Sequence, residues 1–334
     1  MNILFYCPFK FGLKSKNIQS LGGIESLNLQ LTKYLAKFND NIYLASFCNK
    51  ESKIKNLKNI PIKKLKHNIS NFKFDKIISS NDPTIFNYSK NSDNFLWLHN
   101  QLPLEKALRK KKIFSILKNK ISTIFVSNYL LEKTSNIYGF KRKFVIPNFL
   151  DSIFLNIKPK YNRKPYFIWS VQRNKGLNEI ITLWKEKIFI NHPKCKLFIF
   201  GVNNESFNNN FIRTLFKYNI IFKGRVSKKV LKNHYSKSMG MICLGYDETF
   251  CINAIEAFAC GLPIITFGFT AVNELINNKN SFKINSFNDL DKTIYKIYKM
   301  RYLKRYSLIN YCMNFSTKYT LNNTFYHWKK IIKS

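Results

Sequence analysis

Along this chain, short apolar runs alternate with segments whose apolar positions recur at helical spacing. Ile3–Tyr6, Asn41–Phe47, Ile60–Leu65, Lys76–Ser79, Phe95–Leu98 and Ile121–Val126 read as strands in the first half; Tyr166–Val171, Lys196–Phe200, Ile220–Lys223 and Met241–Leu244 do so in the second. Between them, Ile24, Leu27, Leu31, Tyr34 and Leu35 share one helix face, and Ile180, Ile181 and Trp184 mark another helix. Strands that alternate with helices build parallel sheets, because joining two parallel strands takes a crossover long enough to hold a helix. Ligands of such sheets gather at the C-terminal ends of the strands. The expectation is an α/β chain, and 334 residues are enough for two domains with separate cores.

The stretch from Asp247 to Pro263, DETFCINAIEAFACGLP, constrains the chemistry. A polar turn leads into a short apolar helix. Gly261 suits the left-handed residue that ends helices, and Leu262-Pro263-Ile264-Ile265 reads as a buried strand. Glu248 lies in the turn, where unpaired first-turn amides and the positive helix end attract anions, phosphates above all. Glu256 lies inside the helix, on one side with Asn253 and Cys260 and opposite Ile252, Ile255, Phe258 and Ala259. It is therefore either a solvated member of a polar stripe or a carboxylate that holds a ligand.

Acid, turn, seven intervening residues, acid, then Ala-x-Ala-x-Gly-x-Pro before a strand resembles the Glu-x7-Glu signature of family-four retaining glycosyltransferases, enzymes of the GT-B fold. Other segments fit the resemblance in order. Gly22-Gly23-Ile24-Glu25 follows the first strand and a loop from Phe9 to Leu21; by itself the glycine pair is also an ordinary tight turn. His99 follows the Phe95–Leu98 strand, Ser127 opens a helix, and Phe144-Val145-Ile146-Pro147-Asn148 closes the first half. Gln172-Arg173-Asn174-Lys175-Gly176 leads from a strand into a helix. Two departures stand out: Phe149 occupies a position usually held by glycine, and fewer residues than usual separate Arg173 from Lys175.

The resemblance runs from Gly22 to about Glu274. It implies two Rossmann-like domains with parallel sheets facing a central cleft: an acceptor domain over residues 1–158, a nucleotide-sugar domain over 165–316, and a last helix in 317–334 that crosses back to the first domain. The basic stretch 159–165 reads as the hinge. The implied reaction moves a sugar from a nucleoside diphosphate sugar, with retention, to a glycan or lipid-linked acceptor in cell-envelope polysaccharide or lipopolysaccharide synthesis. Implied roles follow by position. Glu248 and His99 face the donor sugar, and Glu256 binds the ribose hydroxyls. Arg173, Lys175, the Gly22-Gly23 amides and the backbone of Thr249, Phe250, Cys251 and Ile252 hold the diphosphate, while Arg225 lies near the base. No cofactor and no metal is implied. Asn288-Asp289-Leu290-Asp291 could hold a cation, but its place before Ile294 and Ile297 reads as helix capping.

The formal net charge is +38, split +18 over residues 1–150 and +20 over the remainder. It suits anionic partners, and it also follows from a composition rich in lysine. Arg109–Lys120, RKKKIFSILKNK, sets lysines beside apolar side chains: it suits the anionic inner face of a plasma membrane, and it reads equally as a solvated helix whose apolar side packs on its own domain. Competing readings are a non-catalytic basic protein on nucleic acid or membrane, and a GT-B sugar-nucleotide epimerase. Nucleic acid is disfavoured, because basic residues are spread evenly and no nucleic-acid motif occurs. The seven cysteines show neither metal-ligand nor redox spacing and read as reduced thiols in a cytoplasm. Met1–Pro8 lacks a basic leader segment and reads as a strand.

Overall fold

The computed structural model describes residues 1–13, 21–38, 41–68, 73–89, 91–202 and 208–333. Most of the loop between the first strand and the glycine pair thus lies outside the described residues. The chain divides into two units, Met1–Phe149 with Thr324–Ser334, and Leu150–Asn323.

The first unit holds an eight-stranded sheet. Its strands are β1 (Asn2–Tyr6), β2 (Asn41–Ser46), β3 (Ser52–Ile54), β4 (Leu57–Pro61), β5 (Lys76–Ser80), β6 (Asp93–Leu98), β7 (Ser122–Phe125) and β8 (Lys143–Val145), in the order β3-β4-β2-β1-β5-β6-β7-β8. All pairings are parallel except β3 with β4. Ile3, Leu4, Phe5 and Tyr6 are all buried, which is why β1 reads as an unbroken apolar run: helices cover both faces of a parallel sheet. β2 pairs on one side of β1 and β5 on the other, so the strand order reverses there.

Two readings change in this unit. The strand expected over Ile60–Leu65 is β4, ending at Pro61, and Ile62–Asn68 is a helix. Pro61 has no N–H to extend the ladder, and Ile62 and Leu65 are buried three residues apart on one helix face. β3 is a short edge strand with Lys53 and a left-handed Lys55 after it, features that blunt an edge and hide it from pattern reading. The basic stretch 109–120 falls within two short helices, Leu104–Arg109 and Lys112–Lys118, broken at Lys111 (φ 53°). Ala107, Ile113 and Ile116 are buried; Leu108, Phe114 and Leu117 are exposed. The unit is completed by the end of the helix Leu321–Lys333, where Trp328 packs edge-on against Trp97 with ring centres 4.7 Å apart.

The second unit holds six parallel strands: β9 (Tyr166–Trp169), β10 (Lys196–Phe200), β11 (Ile220–Gly224), β12 (Gly240–Ile242), β13 (Ile264–Thr266) and β14 (Ser281–Lys283), in the order β11-β10-β9-β12-β13-β14. Here the order reverses between β9 and β12, the position in a parallel sheet where ligands are generally bound, at the C-terminal ends of the strands.

The helix Ile252–Ala259 ends as the sequence suggests. Gly261 has φ 69°, its N–H donates to Phe258 O (2.8 Å), and the Leu262 N–H donates to Ala257 O (2.9 Å), a Schellman closure. Segment 159–165 is fixed to this unit. Arg163 is 5% exposed and donates to Tyr235 O and Cys260 O (both 2.8 Å), capping the C-terminal ends of two helices, and Lys164 N–H donates to Lys237 O (2.8 Å). Burial lowers the Arg163 guanidinium to about 10, so it stays charged at neutral pH. At 288–291, Asp289 accepts from the Asn285 and Ser286 N–H groups (3.0 Å each) and Asp291 accepts from Asn191 (3.0 Å). The two carboxylates thus close a turn and join two helices.

Candidate functional site

The loop leaving β9 turns tightly. Arg173–Lys175 form one 3-10 turn, and Gly176 (φ 103°) links it to the helix Leu177–Leu183. A Cβ at Gly176 would run into Leu244 and the Tyr246 ring, so both the space and the left-handed backbone require glycine. The turn aims Lys175 at the loop leaving β12: its Nζ lies 2.7 Å from Glu248 Oε1 and donates to Asp247 O at 3.2 Å. Both side chains of this ion pair are little exposed, 12% and 13%. Arg173 is exposed on the same turn.

Left-handed residues are concentrated around Glu248. Gly245, Asp247, Cys251, Gly268 and Thr270 all have positive φ. Three of the five are not glycine, and each such residue costs roughly 1 kcal/mol. The loops after β12 and β13 hold each other in place: Thr270 Oγ1 donates to Gly245 O (2.6 Å) and Ala271 N–H to Glu248 O (3.2 Å). Thr249 and Phe250 continue the turn, and Phe250 is buried edge-on against Tyr319. Cys251 precedes the helix and gives it no side-chain cap, so the amides from Ile252 onward begin without one. That is the local arrangement that receives phosphate at a helix start.

Glu256 is not a solvated member of a polar stripe. It is 2% exposed, because the side of the helix it shares with Asn253 and Cys260 packs inward. Asn253 donates to Ser170 O at the end of β9. Lys228 Nζ reaches Glu256 Oε1 at 3.0 Å and Asp151 Oδ2 at 2.9 Å, bridging two carboxylates in a largely buried setting. Burial works against the Lys228 ammonium, and the two carboxylates outweigh it, so it titrates above the usual lysine range. Burial is also the largest influence on Glu256; Lys228 opposes it, and the carboxyl stays above the ordinary range.

Lys228 and Asp151 were not singled out in the sequence. Asp151 has a local signal, since it accepts from Ile153 N–H (3.1 Å) as the cap of a 3-10 turn. Lys228 has none, being one lysine in a chain full of them. Arg225 is exposed just after β11, and the cation on Glu256 is Lys228.

In the first unit, Gly22 precedes the helix Gly23–Leu35 with φ −65°, a backbone that any residue adopts. A Cβ there would sit 2.6 Å from Glu25 Oε2, whose carboxylate folds back over the helix start. His99 follows β6, is 4% exposed, and packs tilted against Trp97 with 4.4 Å between ring centres. Its backbone N–H donates to Asn81 Oδ1 (2.8 Å). Burial lowers the imidazole to about 3, so it is neutral at physiological pH.

Cysteine spacing gave no metal-ligand set, yet the fold collects one. Cys243, Glu248 and Cys251 place one donor atom each within 4.8 Å of one another.

A cation paired with an acid at the reversal of a parallel sheet, followed by a helix start without a side-chain cap, is an arrangement suited to an anion. Residues 154–313 match the family model described as Glycosyl transferases group 1. Residues 154–313 belong to the group 1 glycosyl transferases. The matched segment contains Arg173, Lys175, Arg225, Lys228, Glu248 and Glu256. No curated protein matches the chain by sequence. Solved structures resemble it along its whole length. Sucrose-phosphate synthase from Thermosynechococcus elongatus covers 100% of this chain and 98% of its own at 14% identity, TM-score 0.76. An E. coli structure described as trehalose-6-phosphate bound with UDP-2-fluoro glucose covers 100% and 99% at 12% identity, TM-score 0.72. WaaG, a glycosyltransferase involved in lipopolysaccharide biosynthesis, covers 94% and 95% at 11% identity, TM-score 0.70. At these identities the likeness is one of fold, and the fold is GT-B. The coarse activity that this family match supports is transfer of a sugar.

Proposed function

We propose that this group 1 glycosyl transferase moves a sugar from a nucleoside diphosphate sugar, with retention, onto a glycan or lipid-linked acceptor of the cell envelope. The observation that carries the reading is the Lys175–Glu248 pair at the order reversal between β9 and β12, beside the uncapped helix start at Cys251. A diphosphate would take over Lys175, with Arg173 on the same turn and the amides from Ile252 onward sharing its charge. Glu248, released from Lys175, would turn to the donor sugar. As the glycosidic bond breaks, charge grows on the leaving diphosphate, and cations already in place stabilise it without reorganisation. Glu256, held by Lys228, would accept hydrogen bonds from the ribose hydroxyls. In the first unit, the Gly22-Gly23 amides are assigned to phosphate and the neutral His99 to the sugar.

This chemistry needs no metal. The bound UDP-2-fluoro glucose of the E. coli relative favours a uridine donor. WaaG's role in lipopolysaccharide biosynthesis favours an envelope acceptor, and the exposed Leu108, Phe114 and Leu117 among lysines favour peripheral contact with an anionic membrane. No described helix is long and apolar enough to cross a membrane.

The test is thermal stability with UDP, GDP and ADP and their sugar conjugates, with EDTA present. Saturation at a hundred times Kd adds about 2.7 kcal/mol, a readable melting shift. A shift for one base, lost in Glu256→Ala, is expected. No shift with any nucleotide would overturn the reading.

A further inference from the structure

The loop that leaves β12 at Cys243 returns at Cys251, and the two Sγ atoms come to 3.5 Å. Both residues are buried, at 1% and 5% exposure, whereas the Glu248 side chain between them in sequence is 13% exposed. A carboxylate oxygen of Glu248 completes a triangle with the sulfurs, all three donor atoms within 4.8 Å. Two thiols in contact are ordinary core packing. Two thiols with a carboxylate oxygen beside them, in a loop at the C-terminal end of a parallel strand, are a set of soft and hard donors within reach of one cation.

Distances decide what that set suits. Two sulfurs bound tetrahedrally to zinc at about 2.3 Å stand roughly 3.8 Å apart, so the observed pair needs to open by only a few tenths of an ångström. A disulfide, at about 2.05 Å, would need the pair to close by roughly 1.5 Å against a left-handed Cys251 backbone. The carboxylate supplies a third ligand, and its partial exposure leaves the fourth position to water, the arrangement of an open zinc site.

We propose that Cys243, Cys251 and Glu248 form a three-donor site for a thiophilic divalent cation such as Zn2+ or Cd2+. On binding, each thiol gives its proton to solvent as its sulfur takes the cation, and Glu248 turns from Lys175 to the metal. Occupancy therefore withdraws the acid that the proposed reaction needs. The existence of the site does not depend on that reaction; its inhibitory effect does.

The test separates the two. Cd2+ is titrated into the full-length protein, following thiolate-to-cadmium ultraviolet absorption, and Zn2+ affinity is measured by competition with a chromophoric chelator. One equivalent is expected to bind with the absorption of two thiolates. Cys243→Ser and Cys251→Ser should each weaken binding by at least about tenfold, and Glu248→Gln should weaken it while leaving the thiolate band. Cys48→Ser, altering a half-buried thiol elsewhere, should bind as the unaltered protein does. If Cys251→Ser does not fold by circular dichroism, Cys243→Ser and Glu248→Gln decide. Absence of stoichiometric binding, or binding unchanged in Cys243→Ser and Glu248→Gln, overturns the proposal. One equivalent of Zn2+ should also suppress sugar transfer in the unaltered protein and not in Cys243→Ser. Binding without that suppression would remove the inhibitory role and leave the site.

Discussion

Removing the Lys228 side-chain charge should show how the second unit holds its buried acids. In Lys228→Met, Glu256 (side chain 3% exposed) and Asp151 (15%) lose the ammonium lying 3.0 and 2.9 Å from them. Asp151 keeps its hydrogen bond from Ile153 N–H; Glu256 has no other hydrogen-bond partner among the described residues. Breaking a buried ion pair by deleting one member costs about 3–5 kcal/mol, because the other charge stays buried. In a unit of this size each kcal/mol moves Tm by about 2–4 °C, so a drop of roughly 6–20 °C is expected by calorimetry. Adding Glu256→Gln removes the stranded charge, and the double variant should regain about 2 kcal/mol or more over Lys228→Met. Lys228→Arg, which keeps the charge, should lose least. A Lys228→Met protein that melts within about 1 °C of the parent, or no recovery in the double variant, would refute the assignment of Lys228 as the counter-charge.

Three further outcomes follow from the geometry. Gly261→Ala places a Cβ 2.6 Å from Ile309 Cγ2 and 2.9 Å from Arg163 Nη2 at φ 69°, and should cost about 2–4 kcal/mol by urea unfolding. Gly201→Ala, also left-handed but with nothing within 4 Å, should cost only about 1 kcal/mol. His99 titrates at about 3 when folded against about 6.5 unfolded. The unfolded chain alone therefore takes the proton as pH falls from 6.5, and at pH 5 the first unit should have lost about 2 kcal/mol, a slope that His99→Phe should flatten. Glu256 stays above the ordinary carboxylate range, so nucleotide affinity in calorimetric titration should fall on acidification before ordinary carboxylates protonate. Because its folded pKa is raised, protonating Glu256 favours the fold, and this loss of affinity should not track loss of stability.

Local patterns reached far in this chain. The apolar runs of β1, β6 and β9 announced buried parallel strands, because a strand covered on both faces needs no polar alternation. Gly261 announced the helix end, because a left-handed closing residue favours glycine whatever packs around it. Glu248 and Glu256 were visible as acids with a fixed separation. What each acid touches was not visible. The polar stripe through Asn253, Glu256 and Cys260 has the same sequence whether it faces water or the end of β9, and only the packing turned it inward. Segment 159–165 looks like a linker by composition, yet Arg163 is a buried cap because two helix ends converge on it.

The same limit applies to partners far apart in sequence. Lys175 with Glu248, Lys228 with Asp151 and Glu256, and Cys243 against Cys251 are pairings made by the order β10-β9-β12-β13 and the loops between. Periodicity and capping act over a turn or two of chain, so the sequence determined the elements and the acids they carry. Charge pairing and metal-ligand distance act through space, so the tertiary structure alone decided which cation meets which acid.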